Sequence, residues 1–395
     1  MTRGRLSACL AIVACVAVVV QPVTGVAQDS REPVTREQLA AAIDKLGSID
    51  FPVRMAAGRT VRRASGASAV PALTEAVESH NDGYVRFRAL VLLSGFNDPR
   101  TRSLMTSALG DVNDRLRTVA YSYFGHNPDP AIRPRLLEAL KKEESEFVRP
   151  SLTRALAAYG SDPAVRKAMT QLVVSGHDFF RSEVIQALGD YKAVYALDAI
   201  TNVAKLEGPL QDDAILAIWK IGEKRSLETL AALQRSAPRP VQPAIAAAIC
   251  LVGSNCDAHQ RYLTDSLRFA IATIGYQELL RSAAKGLAAL AMSGRESAAA
   301  TLIELGAPTR DPARAAVALA LGTVALRNTP VMLKVLENQQ DLKAAMDLLG
   351  EAFDMLEEDF EEERFFVTVR RGYWQAAEGS ATRKVADALI QKLEF

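Results

Sequence analysis

The feature that most constrains this chain is a period. An apolar residue followed by arginine returns at Val53-Arg54, Val85-Arg86, Leu116-Arg117, Val148-Arg149 and Phe180-Arg181, at steps of 32, 31, 32 and 32 residues. Degenerate copies at Leu210-Gln211 and Val241-Gln242 lead on to Leu280-Arg281 and Ala313-Arg314. A unit of this length cannot bury its apolar stripe alone and is stable only when stacked on its neighbours. Residues 49–337 therefore read as a repeat array. A single globular core is excluded on length as well, since such cores stop growing at about 250–300 residues.

Each unit reads as two amphipathic helices joined by a tight turn. In the fourth, Val148, Leu152, Ala155, Leu156 and Tyr159 share one helical face and Gly160 ends the helix. Asp162-Pro163 then opens the next: the carboxylate accepts from orphan amides, and proline at the first helical position has no amide to lose. The same device returns at Asp98-Pro99 and Asp129-Pro130, predicting second helices over Ala131–Lys141 and Ala164–Val174. Asp50, Asp82, Asp114, Ser145, Asp178 and Asp311 precede the anchor arginines by three or four residues and are expected to cap the first helices. Aromatics make up only 6% of the chain and β-branched runs are scarce after residue 30, which leaves little room for strands.

This pattern of polar cap, apolar-Arg pair, Ala- and Leu-rich helix, Asp-Pro and second helix resembles short HEAT repeats, including those of the phycobilin-lyase type. The resemblance covers roughly Asp50 to Glu337. It implies an all-α fold, an α-solenoid of about ten stacked helical hairpins in a right-handed superhelix, and it names no functional residue. Units six and seven lack the arginine, and the step from Val241 to Leu280 is 39 residues, so an extra turn or helix around Cys256–Gly275 is expected to bend the stack. The anchors Arg54, Arg86, Arg117, Arg149 and Arg181 sit beside acidic caps, which fits hydrogen bonding between adjacent repeats better than an anion-binding ladder.

The ends of the array differ from its middle. Residues 1–27 carry Arg3 and Arg5, an apolar run from Leu6 to Val20 and the small residues Gly25-Val26-Ala27, which read as a signal peptide cleaved after Ala27. The run of about 15 residues is short for a bilayer span, and the apolar residues after Cys15 argue against a lipidated cysteine. Residues 28–48 form a leader and a capping helix opened by the Thr35/Gln38 capping box. In residues 338–395 the pattern loosens into helices over Leu342–Leu356 and Ala381–Leu393, with six acids between Glu357 and Glu363 and an aromatic stretch from Phe365 to Trp374. This segment is expected to form a C-terminal cap.

Cleavage would leave 45 basic and 46 acidic residues, which gives no global charge for nucleic acid. It would also leave only Cys250 and Cys256, an even pair expected to form a disulfide in an oxidising compartment. The histidines His80, His126, His177 and His259 fall in different units and are expected in solvent-exposed turns; the Cys256/His259 spacing lacks a second ligand pair for zinc. No nucleophile elbow, phosphate loop, dinucleotide fingerprint or redox Cys-x-x-Cys is present. No catalytic residue, metal ligand or cofactor site is expected. The acidic run is expected to be a solvated face, with docking of a basic partner as the other reading.

One series asks for a function. Arg100, Arg102, Arg133, Arg135, Arg166, Lys167, Lys192, Lys224 and Arg225 cluster at the starts of second helices, where the macrodipole opposes cations. Aligned along a solenoid they would form a basic stripe, either paired with nearby acids or free to grip an acidic segment of a protein partner. The sequence thus points to an exported, non-catalytic scaffold, periplasmic or secreted, whose second helices line a concave protein-binding face. The other readings are a lyase- or chaperone-like protein of cofactor attachment and a subunit of an envelope assembly. A further expectation is that the acidic tail, residues 357–395, folds back on the stripe as an intramolecular blocker.

Overall fold

The computed structural model describes residues 33–253, 256–356 and 358–395, and residues 33–395 form one compact unit. The expected signal peptide lies outside the described residues. Helix α1 (Arg36–Lys45) opens on the expected capping box, with Thr35 and Gln38 each accepting from the other's backbone amide. Then come the hairpins α2 (Phe51–Arg63) with α3 (Gly66–Ser79), α4 (Gly83–Ser94) with α5 (Arg100–Ala108), and α6 (Asp114–His126) with α7 (Arg133–Lys142). They continue as α8 (Arg149–Ala157) with α9 (Pro163–Val174), α10 (Asp178–Asp190) with α11 (Leu197–Ala204), and α12 (Gln211–Ile221) with α13 (Ser226–Ser236). The last are α14 (Gln242–Val252) with α15 (Cys256–Ala272), α16 (Gln277–Met292) with α17 (Glu296–Gly306), and α18 (Ala313–Arg327) with α19 (Thr329–Glu337). A tenth hairpin pairs α20 (Leu342–Met355) with α22 (Ala381–Leu393), and α21 (Asp359–Gln375) is inserted between them. Among the described residues there is no strand. The fold is an all-α solenoid.

The local chemistry explains most of these boundaries. Asp162 accepts from the amides of Ala164 and Val165, with Pro163 as the first helical residue of α9. Asp50 and Asp82 cap α2 and α4. Asp114 and Asp178, expected as caps, are instead the first residues inside α6 and α10, where a carboxylate still meets the positive end of the helix; Asn113 caps α6 and His177 precedes α10. α8 has no side-chain cap. The 39-residue step holds no additional helix: it is taken up by α15, a second helix of 17 residues. A disulfide joins Cys250 near the end of α14 to Cys256 at the start of α15.

The two layers differ in how they stack. First helices pack directly on one another from α4 through α20, whereas most successive second helices are splayed apart. A stack that is tight in one layer and open in the other curves toward the tight one. The first helices therefore form the concave side, and the expectation that second helices line it is corrected. Accordingly α4 buries residues all round, from Val85 to Leu93, because it touches α3, α5, α6 and α21 at once. Gly189 shows how close the inner layer comes: a Cβ there would lie 2.9 Å from the Ala217 Cα of α12.

Candidate interaction surfaces

The anchor arginines work between repeats. Arg86 donates from Nε to the Val77 carbonyl at the end of the preceding second helix and reaches Asp111 of the next turn at 2.6 Å. Arg117 bonds the Asp111 carbonyl and forks onto Glu143 at 2.8 and 2.9 Å, and Arg314 bonds Ala307 O and the Glu351 carboxylate. Arg181 takes Val173 O and Asp178, and Arg54 takes Ser48 O at 2.6 Å. Arg86, Arg181 and Arg314 thus satisfy carbonyls at the ends of the preceding second helices, where the dipole is negative, Arg54 and Arg117 bond carbonyls of the turns, and Arg86, Arg117 and Arg314 each also take a carboxylate further along the array. Arg149 departs from the rule. Its guanidinium lies 4.6 Å from the Phe180 ring centroid and its buried Nε has no partner.

The basic series lies on the outer layer. Arg100 pairs with Asp98, and Arg225 with Asp198. Arg102 reaches Asp129 at 2.7 Å and Arg133 reaches Asp162 at 3.1 Å, so an aspartate in the turn before one second helix neutralises a cation of the previous repeat; Asp162 also caps α9, whereas α7 has no side-chain cap. This resolves the dipole objection for these positions. Arg166 donates to Gly160 O and lies over the Tyr195 ring. Arg135, Lys167, Lys192 and Lys224 are exposed.

The concave face carries charges that sequence reasoning missed. Arg154 of α8 bridges Asp190 of α10, which also holds Lys220 of α12 at 2.6 Å. Lys285 of α16 reaches Asp212 and Asp213 at 3.3 and 3.5 Å, and Ser182 donates to Asp213. Burial alone would raise the Asp190 pKa, but Lys220 and Arg154 hold it at about 2. These groups are consumed by one another, as in a structural network. A signal was present in the sequence: His126, Asp190 and Lys220 all stand nine residues after the anchor position, where an apolar helix end is expected.

Along that register lies α21. Its acidic turn is not a solvated face. Glu363 and Arg62 of α2 are 2% and 4% exposed and joined by three hydrogen bonds, of 3.2, 3.0 and 2.6 Å. Asp359 pairs with Arg88 of α4, Glu361 faces His126 at the end of α6, and Glu358 takes Arg327 of α18 at 2.6 Å. Phe360 stacks on the His126 ring and belongs to the core of the first repeats. Gly95 makes the room, since a Cβ there would lie 2.8 Å from Glu363 Oε1. His126 is thus half-buried in a contact rather than free in a turn. The tail does fold back on the array, but onto first-helix arginines and not onto the second-helix series.

The remaining surface is the edge formed by the turns before the first helices. Ile49 and Val112 stand five residues before an anchor arginine, and Phe147 and Phe179 two before; each is at least 70% exposed. Tyr84 shares the second register and is flanked by the guanidinium groups of Arg54 and Arg115, at 5.8 and 5.5 Å from its ring centroid. Between the fourth and fifth repeats a cleft of about 380 Å³ opens, lined by Glu146, Arg149, Leu172, His177, Phe179 and Phe180 among others. Gly176, with φ +106°, turns the chain into it. Among the described residues no group of three or more His, Cys, Asp or Glu is placed to hold a metal ion, and no single helix is long and apolar enough to cross a membrane.

Residues 39–124 match the family model of HEAT repeats. This span takes in the first hairpins, from α1 to α6, and bears out the fold-level resemblance of the repeat pattern. Solved structures similar to the chain include YibA of Escherichia coli (17% identity, 55% of this chain and 82% of that one, TM-score 0.41). A Kap121p mutant has 14% identity, 91% of this chain and 45% of that one, and a TM-score of 0.41. The complex of CpcE and CpcF of phycocyanin lyase from Nostoc sp. PCC7120 has 16% identity, 83% and 97% coverage, and a TM-score of 0.26. No curated protein sequence matches the chain.

Proposed function

We propose that the protein is an exported, non-catalytic scaffold, periplasmic or secreted, that holds a protein partner along its turn edge. The observation that carries the reading is the set of exposed Ile49, Val112, Phe147 and Phe179 in the turns and helix starts of the first, third, fourth and fifth repeats, with Phe179 lining the Arg149 cleft. Aromatic and arginine side chains at a cleft are the usual anchors of protein interfaces, and a solenoid presents them at fixed intervals. Export is supported by the sequence of the first 27 residues and by the Cys250–Cys256 disulfide, a bond that persists in oxidising compartments.

A pull-down from the envelope fraction tests the surface. The chain carrying Phe147→Ser and Phe179→Ser should lose its partner, while Arg102→Glu, Arg135→Glu and Arg166→Glu combined should keep it. Loss with the arginine set and retention with the phenylalanine pair would overturn the assignment and return the partner to the outer basic series.

A further inference from the structure

We infer that the Arg149 cleft receives an acidic side chain of the protein partner together with an apolar side chain next to it. This rests on the edge reading above and names the chemistry that the cleft takes. Elsewhere in the array the anchor position is already a carboxylate receptor. Arg86 holds Asp111, 25 residues on, and Arg117 forks onto Glu143, 26 residues on, each an acid from the turn that follows the second helix. Ser175 stands 26 residues after Arg149, at the end of α9, where that acid is due. Its hydroxyl donates to the Gln171 carbonyl instead. The fourth repeat thus keeps the cation and lacks the anion.

No group within the chain makes good the loss. Arg54, which also has no acid at that place, is taken up by the Ser48 and Ile49 carbonyls, and Arg181 by Val173 O and Asp178. Glu146 stands where Asp178 stands for Arg181 and lines the cleft, yet among the described residues Arg149 has no ion-pair or hydrogen-bond partner. Glu143, which also feels the Arg149 charge, is already held by Arg117. The Phe180 ring, 4.6 Å from the guanidinium, fixes the cation at the cleft. At about 380 Å³ the cleft has the size of a small ligand pocket. Leu172, Phe179 and Phe180 give it an apolar wall, and α10 begins there without a side-chain cap, so its first amides add donors. A guanidinium matches the two oxygens of a carboxylate, as Arg117 shows with Glu143, and the wall takes the neighbouring apolar group. The Glu146 carboxylate opposes an anion of higher charge such as phosphate.

The probe is the capped dipeptide acetyl-Glu-Leu-amide, which has no terminal charge, titrated into the full chain and followed by NMR. It should shift the amide signals of Ser175 to Phe180 saturably, and acetyl-Gln-Leu-amide should bind about tenfold more weakly. Arg149→Gln should erase that preference. Glu146→Gln should tighten the acidic peptide, and Ser175→Asp, which restores the acid of the second and third repeats, should occupy Arg149 from within and weaken it. If Arg149→Gln fails to fold by circular dichroism, the opposite responses of Glu146→Gln and Ser175→Asp decide. Equal binding of the two peptides, a preference that survives in Arg149→Gln, or no shift around the cleft would overturn the proposal. The pull-down keeps it apart from the edge reading. A partner lost with Phe147→Ser/Phe179→Ser but kept with Arg149→Gln and Ser175→Asp overturns the carboxylate site and leaves the edge standing. A partner kept by the phenylalanine pair removes the edge, and the proposal with it.

Discussion

Neutralising Glu363 should be among the most damaging single changes in this protein. The carboxylate is 2% exposed and accepts three hydrogen bonds from Arg62, itself 4% exposed. Arg370 lies against the same pair, its pKa lowered by burial while Glu363 works in the opposite sense. Glu363→Gln therefore leaves the buried Arg62 and the half-buried Arg370 without their counter-ion, and breaking such a buried pair costs about 3–5 kcal/mol. Arg62→Met should cost less, because Arg370 still faces the remaining carboxylate. The double variant Arg62→Met/Glu363→Gln removes both buried charges and should be more stable than Glu363→Gln alone. At roughly 2.1 cal/mol/K of unfolding entropy per residue, a loss of ~4 kcal/mol lowers the Tm of an array of this size by about 5 °C. Calorimetry on the four proteins closes the cycle. Equal losses for the double variant and for the sum of the single ones would refute the coupling, and with it the claim that this pair ties the two ends of the array together.

Three other outcomes follow from particular contacts. Glu362 has its pKa raised from 4.5 to about 8, so the folded state retains a proton that the unfolded chain releases; stability should fall as pH rises between about 4.5 and 8. Glu362→Gln should therefore match the wild type at pH 4 and exceed it at pH 9 in urea unfolding, and parallel pH profiles would disprove this. Gly189→Ala places a methyl 2.9 Å from the Ala217 Cα and should cost about 1–3 kcal/mol by forcing α10 from α12, read as a lower urea midpoint; an unchanged midpoint would show that the layer yields. Replacing Cys250 and Cys256 by serine should cost roughly 2 kcal/mol in oxidising buffer, on loop-closure entropy for so short a loop, and nothing in reducing buffer.

Much of the fold was legible because its determinants are local. A capping box, an Asp-Pro start or an apolar-Arg pair acts within one repeat, so helix α1, the Pro163 start of α9 and the final Ala381–Leu393 helix all stand where the pattern places them. The structural role of the anchors was legible too, since an arginine beside an acidic cap has partners at hand in the next turn. The basic series shows the limit of such reading. Its charges recur as expected, yet for Arg102 and Arg133 the partner is the Asp-Pro aspartate of the next repeat, which no pattern within one helix reveals. The exposed Phe147 stands beside Val148 and Phe179 beside Phe180, and sequence alone does not say which of two adjacent apolar residues turns outward.

By itself, then, the amino-acid sequence determined the repeat unit, the all-α class and the pairing of Cys250 with Cys256, because each rests on residues a few positions apart. The tertiary structure decided which layer is concave and where the acidic segment goes. Curvature is the sum of small rotations between successive hairpins, set by contacts such as that of Gly189 with Ala217. Only when ten of them have accumulated does Arg62 arrive beside Glu363, 301 residues away.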